Sequence, residues 1–323
     1  MPKLHLDTDI GGDIDDLCAL AMVLNWPDAD LLAVTTNQDN SGRRAGYARY
    51  ALRLAGRDDI PVAAGADASL DCYRIYPGLP DESVYWPEPI PPAPTSLDQA
   101  LDLLQRSIEQ GAIIAAIGAY TNLALLEKRS PGILRDANLV LMGGYVFPPR
   151  EGYPAWGNDT DGNVQNDIGS AQIVIECSHP TLVPLTVTVE TALRRAHLPA
   201  LRQAGPLARL IARQAEAFAI EYGNEAQYGQ TCAGLPDDTI NFQHDPLACA
   251  IALGWHDGVE INGLPLKLAV EDGWLVQRIA DGGKPTRVVT RVNGAKFNEF
   301  WLETVAPNRA AAPAASADAA QNA

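Results

Sequence analysis

The segment LDTDIGGDIDDLCALAMVL, residues 6–24, carries aspartates at positions 7, 9, 13, 15 and 16 and runs straight into an apolar stretch. Formal negative charges a few ångströms apart repel one another by several kcal/mol unless something neutralises them. Carboxylate oxygens are hard ligands suited to Ca2+ or Mg2+, so a divalent cation is the economical answer. The twelve-residue Ca2+ loop with its terminal Glu is absent. Asp15 and Asp16 could instead cap a helix beginning near Leu17, where the dipole favours negative charge, but capping accounts for one or two carboxylates and leaves the rest. A second candidate is FQHDPLACAIAL, residues 242–253, where His244 and Asp245 precede Pro246 and an apolar helix. Proline in a first helical turn puts Asp245 near the N-cap, and alone this pair reads equally well as a cap beside a loop histidine.

Segments this far apart can cooperate only if the fold gathers them. Up to about residue 190, β-rich runs (KLHLDTD, DLLAVTT, IPVAAGA, AIIAAIGA, NLVLMGG, LVPLTVTV) alternate with helical ones (DDLCALAMVLNW, AGYARYALRLAG, LDQALDLLQRSIEQG, TNLALLEKRS, SAQIVIECS). The strand candidates are nearly continuous apolar runs, as parallel strands covered on both faces require. The pattern predicts an α/β fold with an open, mostly parallel, Rossmann-like sheet flanked by helices. Polar or glycine-rich tails (DTDIGGDIDD, TTNQDN, GAYTN, MGGYV) follow several strands, and ligands in such sheets bind outside the carboxyl ends. These tails should therefore converge on one crevice.

Further along, PLARLIARQAEAFAIEY (206–222), DPLACAIALGW and KFNEFWLETV read as helices, with β-like runs between residues 258 and 292. Residues 71–95 hold seven prolines and no periodicity. Tyr73, Tyr76, Tyr85 and Trp86 there favour an ordered, ligand-facing loop over a linker. One domain is expected over 1–305, followed by a disordered Ala-rich tail, 306–323.

Composition narrows the partners. A net charge of −16 and a pI near 4.6 disfavour nucleic acid and anionic membranes, and a bound cation would offset part of the charge. Cys18, Cys72, Cys177, Cys232 and Cys249 show no C-x-x-C spacing, so neither a disulfide framework nor a zinc site is expected. No run reaches the roughly 20 apolar residues of a membrane span, and the aspartates follow Met1 too closely for a secretory leader, so a cytoplasmic protein is expected.

Taken in order with TTNQDN, GAYTN and LMGG, the two acidic segments resemble the nucleoside hydrolase family of inosine-uridine preferring N-ribohydrolases, over nearly the whole chain to about residue 305. The resemblance implies Ca2+-dependent hydrolysis of a ribonucleoside, or a related N-ribosyl compound, to ribose and free base. It assigns Asp9 as the general base that also touches the metal, with Asp16, the Thr121 carbonyl and Asp245 as the remaining metal ligands. It sets Asp15, Asn40, Asp161 and Asn163 on ribose, Asn158 as a further sugar contact, Met142 near the ribose, and His244 as an aid to base departure. A homodimer or homotetramer is implied likewise. Such chemistry passes through an oxocarbenium-like sugar and needs acidic groups near the ribose, an aimed water and help for the leaving base.

The sequence also departs from the family's pattern. Five residues, IGGDI, separate Asp9 from Asp15 where three are usual, which adds Asp13 and leaves open whether Asp9 or Asp7 is the base. A proline-rich stretch replaces the family's His-Gly-rich loop, with Trp86 or Tyr85 free to stack on a base or to anchor packing, and Asp161 stands where Glu is usual. Two other readings remain: a Mg2+ phosphohydrolase with an aspartyl nucleophile, which would want a lysine in the polar strand tails, and a non-catalytic nucleoside- or sugar-binding protein, which would not need a base.

Overall fold

A computed structural model describes residues 1–71 and 78–307, with Asn40 described by its backbone alone. Strands β1 (Lys3–Thr8), β2 (Asp30–Thr36), β3 (Val62–Ala64), β4 (Ile113–Ala116), β5 (Asn138–Met142) and β6 (Thr181–Val183) alternate with helices α1 (Asp15–Asn25), α2 (Arg43–Leu54), α3 (Glu82–Tyr85), α4 (Leu97–Glu109), α5 (Thr121–Arg129), α6 (Gly162–Gln165) and α7 (Ile168–Cys177). Then come α8 (Leu185–Thr188), β7 (Ala192–Arg194), α9 (Leu198–Gln203), α10 (Pro206–Tyr222), β8 (Thr239–Phe242) and α11 (His244–Ala252). Strands β9 (Val259–Glu271), β10 (Trp274–Ile279) and β11 (Lys284–Val292) and helix α12 (Gly294–Val305) close the described chain.

Nine strands form one sheet in the order β10-β9-β11-β6-β5-β4-β1-β2-β3, and β7 and β8 pair separately. The seven strands from β3 to β11 run parallel; β9 is antiparallel to both β11 and β10. Leu4, Leu6, Ile114, Leu141 and Leu182 are buried as the continuous apolar runs require, because helices cover both faces of this sheet. One face packs on α1, α2, α10, α11 and α12. The other packs on α4, α5 and α7. The order 3-2-1-4-5-6 reverses between β1 and β4, and at that reversal the loops leaving the two strands part in opposite directions and open a crevice.

Two expectations are corrected. LVPLTVTV is a strand only to Val183: Pro184, with no N–H to give a ladder, ends it and begins the helical turn α8. Trp86 does not face a ligand. It is 2 % exposed, its ring stacked on Tyr47 of α2 at 4.3 Å and edge-on to Tyr50 at 5.8 Å, so the proline-rich segment is fastened to the core through it. Tyr85, also buried, hydrogen-bonds Glu221 of α10 (2.6 Å). Tyr73, Tyr76 and the tail from residue 308 lie outside the described residues. Among the described residues four cysteines are free, and no helix is long and apolar enough to cross a membrane.

Candidate active site

At the carboxyl ends of β1, β4 and β5 a cavity of about 250 Å³ receives side chains from both halves of the chain. Its densest group is acidic. Asp15 and Asp16 occupy the first turn of α1 and Asp245 the first turn of α11, two helices that pack together beneath the cavity. Asp15, Asp16 and Asp245 are not N-caps: those positions are Ile14 and Gln243, whose side chains make no capping bond. One carboxylate oxygen from each of the three aspartates lies within 4.8 Å of the others, and all three residues are buried.

Protein donors do little to neutralise them. Asp16 accepts a bond from the Thr8 hydroxyl and Asp15 a long one from the Asp245 N–H (3.3 Å), whereas Asp245 accepts none from the described residues. Burial first, and then the charges of neighbouring carboxylates, push all three well above the usual aspartate range. Buried carboxylates that repel one another and lack donors are what a hard divalent cation satisfies, so the donor set fits a metal ion.

Asp9 lines the same cavity, half-buried, its carboxyl raised by burial and drawn back by the Arg44 guanidinium. Asp7 does not line it. That residue is fully buried in β1 and accepts bonds from Thr35 (2.6 Å), Asn122 (2.7 Å) and Asn37 (3.5 Å). Of the two carboxylates left open as base by the sequence, Asp9 lines the cavity and Asp7 does not.

The inserted IGGDI residues form a turn braced from three sides. Gly11 takes φ of +105°, and a side chain there would strike the Tyr47 ring. Arg44 donates to the carbonyls of Ile10 (3.2 Å) and Gln38 (3.1 Å). Asp13, exposed at the cavity rim, accepts from the Ile14 N–H (2.5 Å) and from Asn241. The detour thus leaves both Asp9 and Asp15 on the cavity wall.

Across the cavity, Asp161 is 1 % exposed, caps α6 through the Val164 N–H (3.2 Å) and accepts the Gly144 N–H; burial raises its carboxyl to about 6. Asn163 donates to the carbonyls of Ile117 (2.8 Å) and Met142 (3.2 Å), joining the ends of β4 and β5. Met142, Asp161 and Asn163 all line the cavity. His244 lines it too, with Nδ1 2.6 Å from the Thr188 hydroxyl and burial pushing its pKa down to about 3, so the ring is neutral near pH 7.

Three expected residues are not brought to the cavity. Thr121, at the start of α5, is fully buried with its hydroxyl on Asp167 (2.6 Å); the residue of that strand tail that does line the cavity is Ile117. Asn158 begins the short turn Asn158–Thr160, of which Thr160 and not Asn158 lines the cavity, and Trp86 sits in the core cluster described above. Asn40 begins the turn Asn40–Gly42, and its side chain lies outside the description. Sequence reasoning missed Trp156, Arg44 and Ile117. Trp156 stands edge-on to Phe242 (4.9 Å) and Tyr228 (5.4 Å), with its ring 6.1 Å from His244, making an aromatic wall. It lies in YPAWGND, which has no periodicity to flag it, and Arg44 reads as one of several arginines of an ordinary helix.

The sequence matches the family described as inosine-uridine preferring nucleoside hydrolase over residues 4–299. The chain belongs to this family. It is thus an N-glycosyl hydrolase, a ribonucleoside hydrolase by family. Similar proteins include the pyrimidine-specific ribonucleoside hydrolase RihA of Citrobacter koseri, 29% identical over 250 residues, covering 74% of this chain and 75% of that one. RihA of Enterobacter sp. is 30% identical over 259 residues, covering 76% and 77%. Among solved structures, a plant nucleoside hydrolase superposes with a TM-score of 0.72 at 21% identity, covering 94% of this hydrolase and 99% of that chain. A purine-preferring ribonucleoside hydrolase from Gardnerella vaginalis gives 0.71 at 20% identity, covering 94% and 98%. These two share the fold of this hydrolase.

Proposed function

We propose that the enzyme uses Ca2+ to hydrolyse the N-glycosidic bond of ribonucleosides, releasing ribose and the free base, with Asp9 as general base. The observation that carries this reading is the meeting of Asp15, Asp16 and Asp245, two from the start of the chain and one from its far half, within 4.8 Å of one another beside Asp9. These three, with the Ile117 carbonyl on the adjoining wall, would hold the cation. Ca2+ takes about 6–8 oxygen ligands, so such a set leaves positions for sugar hydroxyls and water. Bound there, the ion supplies orientation of the ribose diol and acidification of a water.

The remaining steps belong to the chain's own groups. Asp9, the carboxylate on the wall outside the tightest trio, accepts the proton of the attacking water. Asp161, with its oxygens fixed by the N–H groups of Gly144 and Val164, offers negative charge to the sugar as positive charge develops on it, and Asn163 and Met142 complete that side. Trp156 provides an aromatic face for the base. His244, neutral, helps the leaving base through a hydrogen bond instead of a full proton.

The test is ribose release from a panel of purine and pyrimidine ribonucleosides, with and without chelator, for the wild type and Asp9→Asn. The expected result is release that chelation removes, that Ca2+ restores, and that Asp9→Asn lowers by about 100-fold or more. Release unaffected by exhaustive chelation would remove the metal from the reading, and an Asp9→Asn enzyme of full activity would remove the base.

A further inference from the structure

A line of buried polar groups runs along the α4 face of the sheet from Ser107 to Asn37, close to Asp9. It starts at Ser107 of α4, whose hydroxyl lies 2.8 Å from His5 Nδ1; His5 Nε2 lies 2.9 Å from Thr35 Oγ1; and Thr35 donates to Asp7 Oδ1 at 2.6 Å. Because the single Thr35 hydroxyl hydrogen goes to the carboxylate, Thr35 accepts from His5 Nε2–H, and His5 Nδ1 accepts from Ser107. Burial drives the His5 pKa down to about 3, so the ring is neutral and this direction is stable. With Asn122 also donating to Oδ1 (2.7 Å), Asp7 is fixed so that Oδ2 is left for one more donor.

That donor is Asn37 Nδ2, at 3.5 Å. Asn37 is fully buried at the end of β2, its backbone N–H held by the Thr8 carbonyl (3.0 Å). The opposite amide orientation would set Oδ1 against a carboxylate, acceptor to acceptor, so Nδ2 faces Asp7. A carboxamide nitrogen has two hydrogens, and Asp7 takes one. The second finds no acceptor within hydrogen-bond range among the described residues, and Asn37 Oδ1 is buried without a partner. What lies nearby is Asp9. A methyl group built on Gly118 would fall 2.7 Å from Asn37 Nδ2, 2.9 Å from Asn37 Oδ1 and 2.8 Å from Asp9 Oδ1, so the amide and the carboxylate both border the side-chain position that Gly118 leaves empty.

We infer that Asn37 is a positioning residue for Asp9. Its second N–H holds Asp9 Oδ1 in the reacting complex and turns Oδ2 towards the water, while Asp7, fixed from behind by Thr35 and Asn122, holds the amide in place. Hydrogen bonds of this kind are often long in an unliganded site and close in the complex. A buried amide left partly unsatisfied beside a reacting carboxylate is a stability cost carried at a functional site. The inference rests on the proposed role of Asp9 as base.

The test replaces Asn37 by Leu, which fills the space without donating, and measures kcat and KM for uridine and inosine at saturating Ca2+. Asn37→Ser is the second variant should Leu hinder folding, and circular dichroism and Ca2+ titration report on fold and cation binding. The expected result is a fall in kcat of about 10- to 100-fold with KM changed by no more than about twofold and Ca2+ affinity retained. A kcat within about threefold of wild type overturns the inference, as does a loss expressed only in KM or only in Ca2+ affinity. If Asp9→Asn is itself fully active, the base assignment falls first and this inference with it; if Asp9→Asn is impaired and Asn37→Leu is not, only the inference fails.

Discussion

Two kinds of buried aspartate lie side by side in this chain. Asp39 and Asp167 are fully buried and saturated with protein donors: Asp39 accepts from the Thr36 hydroxyl (2.7 Å) and the N–H groups of Arg44 (2.7 Å) and Ala45 (2.9 Å), and Asp167 from the hydroxyls of Thr121 and Ser170 (both 2.6 Å) and the N–H groups of Leu70 (2.9 Å) and Ser170 (3.1 Å). Asp15, Asp16 and Asp245 are about as buried and have, among the described residues, two such bonds between them, one of them 3.3 Å long. The first kind fastens loops to the scaffold. The second carries charge that the described hydrogen-bond donors leave largely unmet, and that contrast, more than acidity itself, marks the candidate metal centre.

Removing the cation should break the comparison most forcefully. Exhaustive chelation is expected to lower turnover by more than about 100-fold and to lower Tm, with both restored by Ca2+; an ion present at 100 times its Kd contributes about 2.7 kcal/mol to stability. The pairing of fluorimetric Tm with ribose release checks it, and chelated protein of unchanged Tm and rate would put the two kinds of carboxylate on the same footing.

Substitution sharpens the contrast by its sign. Asp167→Ala strands two hydroxyls and two N–H groups and should destabilise by about 3 kcal/mol with or without cation. Asp245→Asn removes a charge that burial and three neighbouring aspartates oppose, so in chelator it should raise Tm, and in Ca2+ lower it. The same sign in both media for Asp245→Asn would count against a cation at that carboxylate.

The pH dependence follows from the same groups. Asp15, Asp16 and Asp245 have folded pKa values raised well above 3.8, and Asp7 and Asp161 are raised to about 6, all chiefly by burial. A carboxyl raised in the folded state binds its proton more tightly there than in the unfolded chain. Its stabilising contribution is therefore largest below the unfolded value and is lost as pH rises towards the folded one. Chelated protein should lose Tm as pH rises from about 4 through 6 and beyond, whereas Ca2+, which binds the ionised trio, should bind more tightly over the same rise. Denaturation scans in chelator that show Tm climbing from pH 5 to 7 would contradict the assignment.

How much of this was legible in the sequence follows from which patterns are local. The parallel sheet shows in unbroken apolar runs such as AIIAAIGA, and α10 in the spacing of PLARLIARQAEAFAIEY, because burial on both faces or on one face writes itself into consecutive residues. Five charges in ten residues announced the acidic centre. Which of Asp7 and Asp9 faces the cavity was not legible, since it depends on Thr35, Asn37 and Asn122, contributed by two other elements. The place of Thr121 was not legible for a related reason: YTN marks the start of α5, while the residue on the cavity wall lies four positions earlier, at the strand end, as Ile117, whose side chain carries no signal.

The smallest expected effect separates two tryptophans that sequence alone could not rank. Trp86, amid prolines and preceded by a tyrosine, could equally stack on a base or anchor packing, and its ring is packed flat against Tyr47 and is 2 % exposed. Trp156 lines the cavity with its indole braced edge-on by Phe242 and Tyr228 and its Nε1–H 3.3 Å from the Tyr228 hydroxyl, so one aromatic edge is held while the ring borders the space beside His244. An aromatic contact of this kind contributes about 0.5–1.5 kcal/mol beyond area, so Trp156→Leu should lower kcat/KM by roughly two- to tenfold, mainly through KM, with Tm little changed. Trp86→Leu should do the reverse: a loss in Tm from the emptied space against Tyr47 and Tyr50, with KM unmoved in the protein that remains folded. Measuring KM and Tm for both variants on one purine and one pyrimidine nucleoside decides between them, and a KM shift confined to Trp86→Leu would return Trp86 to the binding site.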